Sequence, residues 1–62
     1  MNRTTYYDFD ITYSLKSEDI VHMTFIEAAS LAHAVRQIAL LHDCSAEEIE
    51  IHRSIMWAIE RR

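Results

Sequence analysis

The sequence contains no glycine and no proline. Glycine enters the left-handed region of the backbone at little cost, so the turns of this chain must avoid positive φ or accept a steric penalty. A glycine-rich loop that cradles phosphate is excluded outright. Nucleotide binding through such a loop is therefore not among the functions that this chain can have.

Cysteine and lysine occur once each, as Cys44 and Lys16. A single cysteine excludes an intrachain disulfide and fits a reducing, cytoplasmic setting. The first ten residues lack the apolar segment of a signal peptide, and no apolar run approaches membrane-spanning length. We therefore expect a cytoplasmic protein that makes no contact with membranes.

Ten acidic and six basic residues give a formal net charge of −4. This balance argues against non-specific attraction to nucleic acid or to anionic lipid. The 62 residues predict one small domain covering the whole chain, 1–62. A chain of this length buries only about 60% of its unfolded surface, so a partner subunit often contributes to stability.

The clearest pattern lies between Tyr7 and Leu15, where apolar and polar residues alternate. A period of two is typical of a strand with one buried face and one solvated face, and it predicts strand 1 over 6–15. A polar run follows, and strand 2 is predicted over 20–26. Its odd positions Val21, Met23 and Phe25 are taken as the core side, which requires a loop of three or five residues.

A helix is predicted over 30–43, with Ser30 as its N-cap and apolar residues on one side. Thr24 with Glu27 has the spacing of a capping box, which gives an alternative and earlier start. The helix ends near Asp43 and Cys44 without the usual glycine.

The last segment, 49–59, carries apolar residues at all but one odd position and is predicted as strand 3, with a kink or bulge near Arg53. A second helix capped at Ser45 is the alternative. The complete prediction is an α+β domain of order β-β-α-β. Its three-stranded antiparallel sheet has the order 2-1-3, with one helix packed on one face.

Histidine and cysteine give no site. The four histidines and Cys44 show no spacing of a zinc module, so we expect no metal and no cofactor. His22 and His52 are placed on the open sheet face, on either side of strand 1. Cys44 follows a helix C-terminus, where a thiolate is disfavoured, so a nucleophilic role and an enzymatic function are not expected.

The open face is predicted to carry carboxylates and apolar residues together. Asp8, Asp10 and Glu50 form an acidic patch, with an imitation of nucleic-acid phosphate as one use and a solvated surface as the other. Apolar residues on that face indicate an interface. Tyr6, Ile20, Ile26, Met56 and Ala58 are placed on that face.

These features predict a small acidic protein-binding module, a homodimer that docks on a larger partner and blocks a nucleic-acid-binding site. Its partner-binding residues are predicted to be Asp8, Asp10, Glu50, Leu40, Met56 and Trp57. Size, acidity and layout resemble the small accessory proteins of phages and mobile elements, including inhibitors of host defence enzymes. The alternative function is nucleic-acid binding through exposed aromatics and the arginines at the sheet ends, namely Arg3, Arg53, Arg61 and Arg62.

Overall fold

The computed structural model describes residues 5–58, which form a single β-β-α-β unit. Strand β1 is Tyr7–Leu15, β2 is Val21–Ala28, helix α1 is Leu31–Leu41 and β3 is Ile49–Ala58. The strands are antiparallel in the order β2-β1-β3, with α1 packed on one face. The predicted α+β fold, the sheet order and the single helix are confirmed. A 3-10 turn at Ala46–Glu48 is all that remains of the second-helix alternative, and the predicted strand residue 59 lies outside the described residues.

The inward row of β1 is the core of the domain. Phe9, Ile11 and Tyr13 are almost fully buried, with Ile11 at 0% exposure. They meet Ala34 and Ile38 on the inner side of α1. Because β1 has a strand on each side and the helix above it, its inward residues are enclosed from every direction. The predicted orientation of β1, with Tyr7 and Tyr13 inward and Asp8 and Asp10 outward, is confirmed.

Both ends of α1 are capped by groups that the sequence supplies locally. The Ser30 hydroxyl oxygen accepts a hydrogen bond from the His33 backbone N–H at 3.2 Å, as expected of an N-cap. At the other end, the N–H of Cys44 bonds to the carbonyl of Ala39, and that of Asp43 to the carbonyl of Leu40. This is a Schellman motif, and its left-handed position is taken by Asp43 at φ 54° because no glycine is available.

The orientation of β2 differs from the prediction. Tyr13 pairs with His22 and Phe9 pairs with Ile26, so the even positions of β2 face the helix. The residues between the strands are 16–20, as one of the two predicted loops requires, but the last pair is Ser14 with Val21 and not an odd–odd pair. The prediction that the odd positions of β2 form its core side is wrong.

The sequence of β2 does not decide between its two faces, since both carry apolar residues. The even row supplies smaller groups, and Ala28 is 2% exposed at the point where the chain turns toward the helix. Small residues here let α1 approach the sheet closely. The bulkier row of Val21, Met23 and Phe25 therefore faces outward.

A β-bulge divides β3 into two halves with opposite phases. Tyr13 pairs with Ile51 and Thr12 pairs with Arg53, which leaves His52 as the extra residue. Before the bulge, odd positions such as Ile51 face the helix; after it, Met56 pairs with Phe9 and faces the helix instead. The predicted bulge is confirmed, but the placement of Met56, Ala58 and Ile26 on the open face is wrong. Tyr6 and Ile20 lie outside the strands.

Candidate functional site

The sheet face that points away from α1, called the open face below, carries the predicted carboxylates. Asp8 and Asp10 are successive outward residues of β1, and Glu50 is opposite Ser14 on the same face. Asp8 and Ser14 are separated by about 20 Å along the strand, at roughly 3.3 Å per residue. Asp8 and Asp10 are thus neighbours, whereas Glu50 lies at the far end and does not join them in one patch.

The three apolar residues predicted for binding lie on different surfaces. Trp57 is opposite Asp8 on the open face and is 47% exposed. Met56 is on the helix side of the sheet. Leu40 lies on the outer side of α1 and is 80% exposed. Only Trp57 can act together with Asp8 and Asp10 on one surface.

The open face also carries a row of apolar side chains that sequence reasoning assigned to the core. Val21, Met23 and Phe25 are 61%, 75% and 74% exposed on β2. Phe25 is directly opposite Asp10, and Ile55 is opposite Asp10 on the other side. The polar row of β1 therefore has the apolar row of β2 on one side and, at its Asp8 and Asp10 end, Ile55 and Trp57 of β3 on the other. The sequence does contain a signal for this surface, namely the apolar residues at alternating positions of β2. The prediction identified these positions but assigned them to the wrong face of the sheet.

A group of three rings lies on the helix side, at the hairpin end of the sheet. The Tyr13 hydroxyl is 2.7 Å from His42 Nε2. The ring of His22 stacks on Tyr13 with a centroid distance of 5.0 Å, and it lies 4.9 Å from the ring of His42. The expected position of His22 on the open face is wrong. The group joins β1, β2 and the end of α1.

Tyr13 is held in its neutral form. Burial raises the pKa of its hydroxyl, and the negative charges of Glu18 and Cys44 raise it further. The O–H group of a neutral phenol can donate a hydrogen bond to His42 Nε2, which accepts it. This hydrogen bond links the central strand of the sheet to the C-terminal end of the helix. The Cys44 side chain is half-buried against the same core.

A second histidine contact lies on the open face beside the bulge. Ser14 Oγ is 2.7 Å from His52 Nε2, at the rim of an open pocket of about 370 Å³. A serine nucleophile requires an acid on the other ring nitrogen of its histidine. Here Glu50 Oε1 lies 3.9 Å from the same Nε2 atom. The pair thus lacks the orientation of a catalytic triad, and it fixes the bulge against the central strand.

Within residues 5–58, no group of three or more histidine, cysteine, aspartate or glutamate side chains is placed to hold a metal ion. In the same range, no helix is both long and apolar enough to cross a membrane. Of the arginines predicted to contact nucleic acid, Arg53 lies exposed on the open face opposite Thr12. The others, Arg3, Arg61 and Arg62, lie outside the described residues.

Comparison of the chain with protein-family models, with curated proteins and with solved structures found no match. The function is therefore argued from the surfaces described above.

Proposed function

We propose that this protein is a non-enzymatic interaction module whose open face binds a partner protein with an apolar centre and basic flanks. The observation that carries the proposal is the outward row of Val21, Met23 and Phe25, each more than 60% exposed. Covering a large apolar side chain completely contributes about 1.5–3 kcal/mol. Three such side chains in one row, with Trp57 across the sheet, give a partner enough apolar area to bind.

The charges of the open face select the sign of that partner. Asp10 lies between Phe25 and Ile55, and Asp8 lies between Glu27 and Trp57. Arg53 is the one arginine or lysine of the described strand residues on this face. A second copy packed face to face brings its own aspartates against these two, and buried like charges are costly. Phosphate is repelled for the same reason. A lysine- or arginine-bearing protein surface satisfies the carboxylates while its apolar residues cover Phe25 and Met23.

The inhibitor form of the proposal follows from the spacing of the carboxylates. Asp8 and Asp10 are successive outward residues of one strand, about 7 Å apart. A short row of negative charges on a rigid strand can occupy a basic site that otherwise takes nucleic acid. The larger partner of this module is, on this proposal, a nucleic-acid-binding protein, and the module acts by covering its site.

The single tryptophan of the chain provides the test, because Trp57 lies on the open face itself. The probe is a synthetic amphipathic helix with leucines on one face and lysines on the flanks, titrated while Trp57 emission is recorded. We expect a blue shift with this peptide and none with the same peptide carrying glutamates for lysines. Asp10→Lys should weaken binding of the lysine peptide and allow the glutamate peptide to bind.

Glu47→Lys is the matched control, since Glu47 is exposed in the 3-10 turn before β3 and makes the same change of net charge. It should leave the preference for the lysine peptide almost unchanged. Equal binding of both peptides, or no response of Trp57 to either, would overturn the proposal. So would tighter binding of a single-stranded oligonucleotide, which would favour the alternative function.

A further inference from the structure

The two outer strands of the sheet differ in how their free edges are protected. An edge strand presents a row of N–H and C=O groups to any strand that approaches, and proteins guard such edges with bulges, prolines or lysines. In β3 the bulge at His52, followed by Arg53, interrupts the edge. Strand β2 pairs with β1 in unbroken register over its eight residues, and it contains neither lysine nor proline.

Only one end of β2 is covered. The Gln37 side-chain amide donates to the carbonyl oxygen of Glu27 at 3.4 Å, so the helix protects that end of the edge. For residues 21–26, no side chain of the described part of the chain bonds to the backbone. A long, regular and apolar edge of this kind is a template for another strand.

We propose that β2 pairs antiparallel with β2 of a second copy, and that the protein is a dimer with a continuous six-stranded sheet. Antiparallel pairing of identical edges requires a two-fold axis perpendicular to the sheet, so the two helices lie on the same side. Opposed residues must share a face. With the axis at Thr24, Phe25 lies opposite the partner's Met23 on the open face, and Met23 opposite the partner's Phe25.

A second copy fits this edge for reasons of charge and composition. Glu27 is the only carboxylate or cationic side chain in β2 apart from His22, and the register places it opposite the partner's Val21. Like charges therefore do not meet across the new pairing. Aromatic and thioether side chains, which pack well against each other, meet twice. A chain of 62 residues also belongs to the size range in which oligomerisation commonly supplies stability.

The dimer does not depend on the proposed function, because it rests on the backbone edge of β2 and not on the partner of the open face. It changes what that partner meets. The two rows of Val21, Met23 and Phe25 become neighbours at the centre of the six-stranded sheet, while the aspartates of each copy lie on either side.

The experiment compares two double variants at exposed positions by molar mass in solution, over a range of protein concentrations. Met23→Lys with Phe25→Lys places like charges opposite each other twice. Met23→Lys with Phe25→Glu places opposite charges there and keeps the same number of substitutions. We expect the wild type and the Lys/Glu variant at twice the chain mass of 7.3 kDa. We expect the dimer dissociation constant of the Lys/Lys variant to be higher than that of the wild type by about tenfold or more.

Three results would overturn the proposal. The first is a wild type that stays monomeric at millimolar concentration. The second is a Lys/Lys variant that dimerises as well as the wild type, which places the interface elsewhere. The third is a Lys/Glu variant that dissociates like the Lys/Lys variant, which excludes the register with Thr24 at the axis. Peptide binding at Trp57 is measured on the wild type, because both double variants also remove apolar side chains of the open face. A monomeric wild type that binds the lysine peptide would refute the dimer alone, and a dimeric wild type that binds neither peptide would refute the open-face function alone.

Discussion

Removing one oxygen atom from Tyr13 tests the link between the sheet and the helix. The ring of Tyr13 is 2% exposed, and its hydroxyl is 2.7 Å from His42 Nε2. Tyr13→Phe keeps the ring and its packing against His22, and removes only the hydrogen bond. A hydrogen bond of this kind contributes about 0.5–1.5 kcal/mol net. His42 is half-buried, so water can replace the lost hydroxyl in part, and we expect a loss of about 1 kcal/mol.

That loss is large for a domain of this size. A 62-residue domain has a free energy of unfolding of roughly 3–9 kcal/mol, at about 0.05–0.15 kcal/mol per residue. A change of about 1 kcal/mol lowers Tm by roughly 4–8 °C. Thermal unfolding at neutral pH, followed by circular dichroism, measures the difference. Tyr7→Phe is the matched control, because the Tyr7 hydroxyl forms no hydrogen bond with the described residues, and its Tm should change little.

The same pair of proteins makes a pH prediction. Burial first, then the charges of Glu18 and Cys44, raise the pKa of Tyr13 above its ordinary value of 10.0. The unfolded chain therefore releases this proton at a lower pH than the folded chain does. The contribution of Tyr13 to stability is complete below about pH 10 and is lost as pH rises through the raised pKa.

We therefore expect the advantage of the wild type over Tyr13→Phe to be constant between neutral pH and about pH 10 and to shrink above about pH 10. Denaturant unfolding at several pH values measures both curves. An equal Tm for the two proteins at neutral pH would refute the structural role of the hydroxyl. A difference in stability that persists unchanged into strong alkali would refute the raised pKa.

Two further predictions concern the ends of α1. Ser30→Ala removes the hydroxyl that accepts from the His33 N–H and should cost about 1 kcal/mol in denaturant unfolding, whereas Ser45→Ala, at a cap position without a side-chain hydrogen bond, should be nearly neutral. Equal effects of the two would contradict the assigned N-cap. Asp43→Gly should increase the free energy of unfolding by up to about 1 kcal/mol and so raise Tm, because glycine occupies φ 54° without the steric penalty. Asp19→Gly is its control, since within the described residues only Asp43 has positive φ, and there glycine should lower Tm by adding unfolded-state entropy. A lower Tm for Asp43→Gly would show that the aspartate contributes more than its backbone conformation.

The fold was predictable because its strongest signals are local. The alternation of β1 and the N-cap at Ser30 each follow from a few neighbouring residues, and together they fixed the element order and the sheet order. The absence of glycine did not prevent a Schellman end, since Asp43 takes the left-handed position instead.

Which face of β2 points toward the helix could not be predicted from the sequence, because it depends on packing between distant segments. Phe25 and Ile26 are consecutive, both apolar, and on opposite faces of β2, so either set of alternating residues can form the core side. The choice depends on how closely α1 approaches the sheet. That distance is a property of the folded domain. The wrong prediction placed Phe25 in the core although it lies on the surface, and it concealed the apolar row on which the proposed interface depends.

The extra residue in β3 has a consequence for how this chain can change over time. Ile51 and Ile55 are both at odd positions, yet one faces the helix and the other faces away, because His52 resets the alternation between them. Deletion of His52 would make Ile51 and Arg53 successive residues on opposite faces, so Ile55 and Trp57 would keep facing outward and Met56 would keep facing α1. A single-codon deletion at this position would therefore make the strand regular without exchanging its outer surface for its inner one.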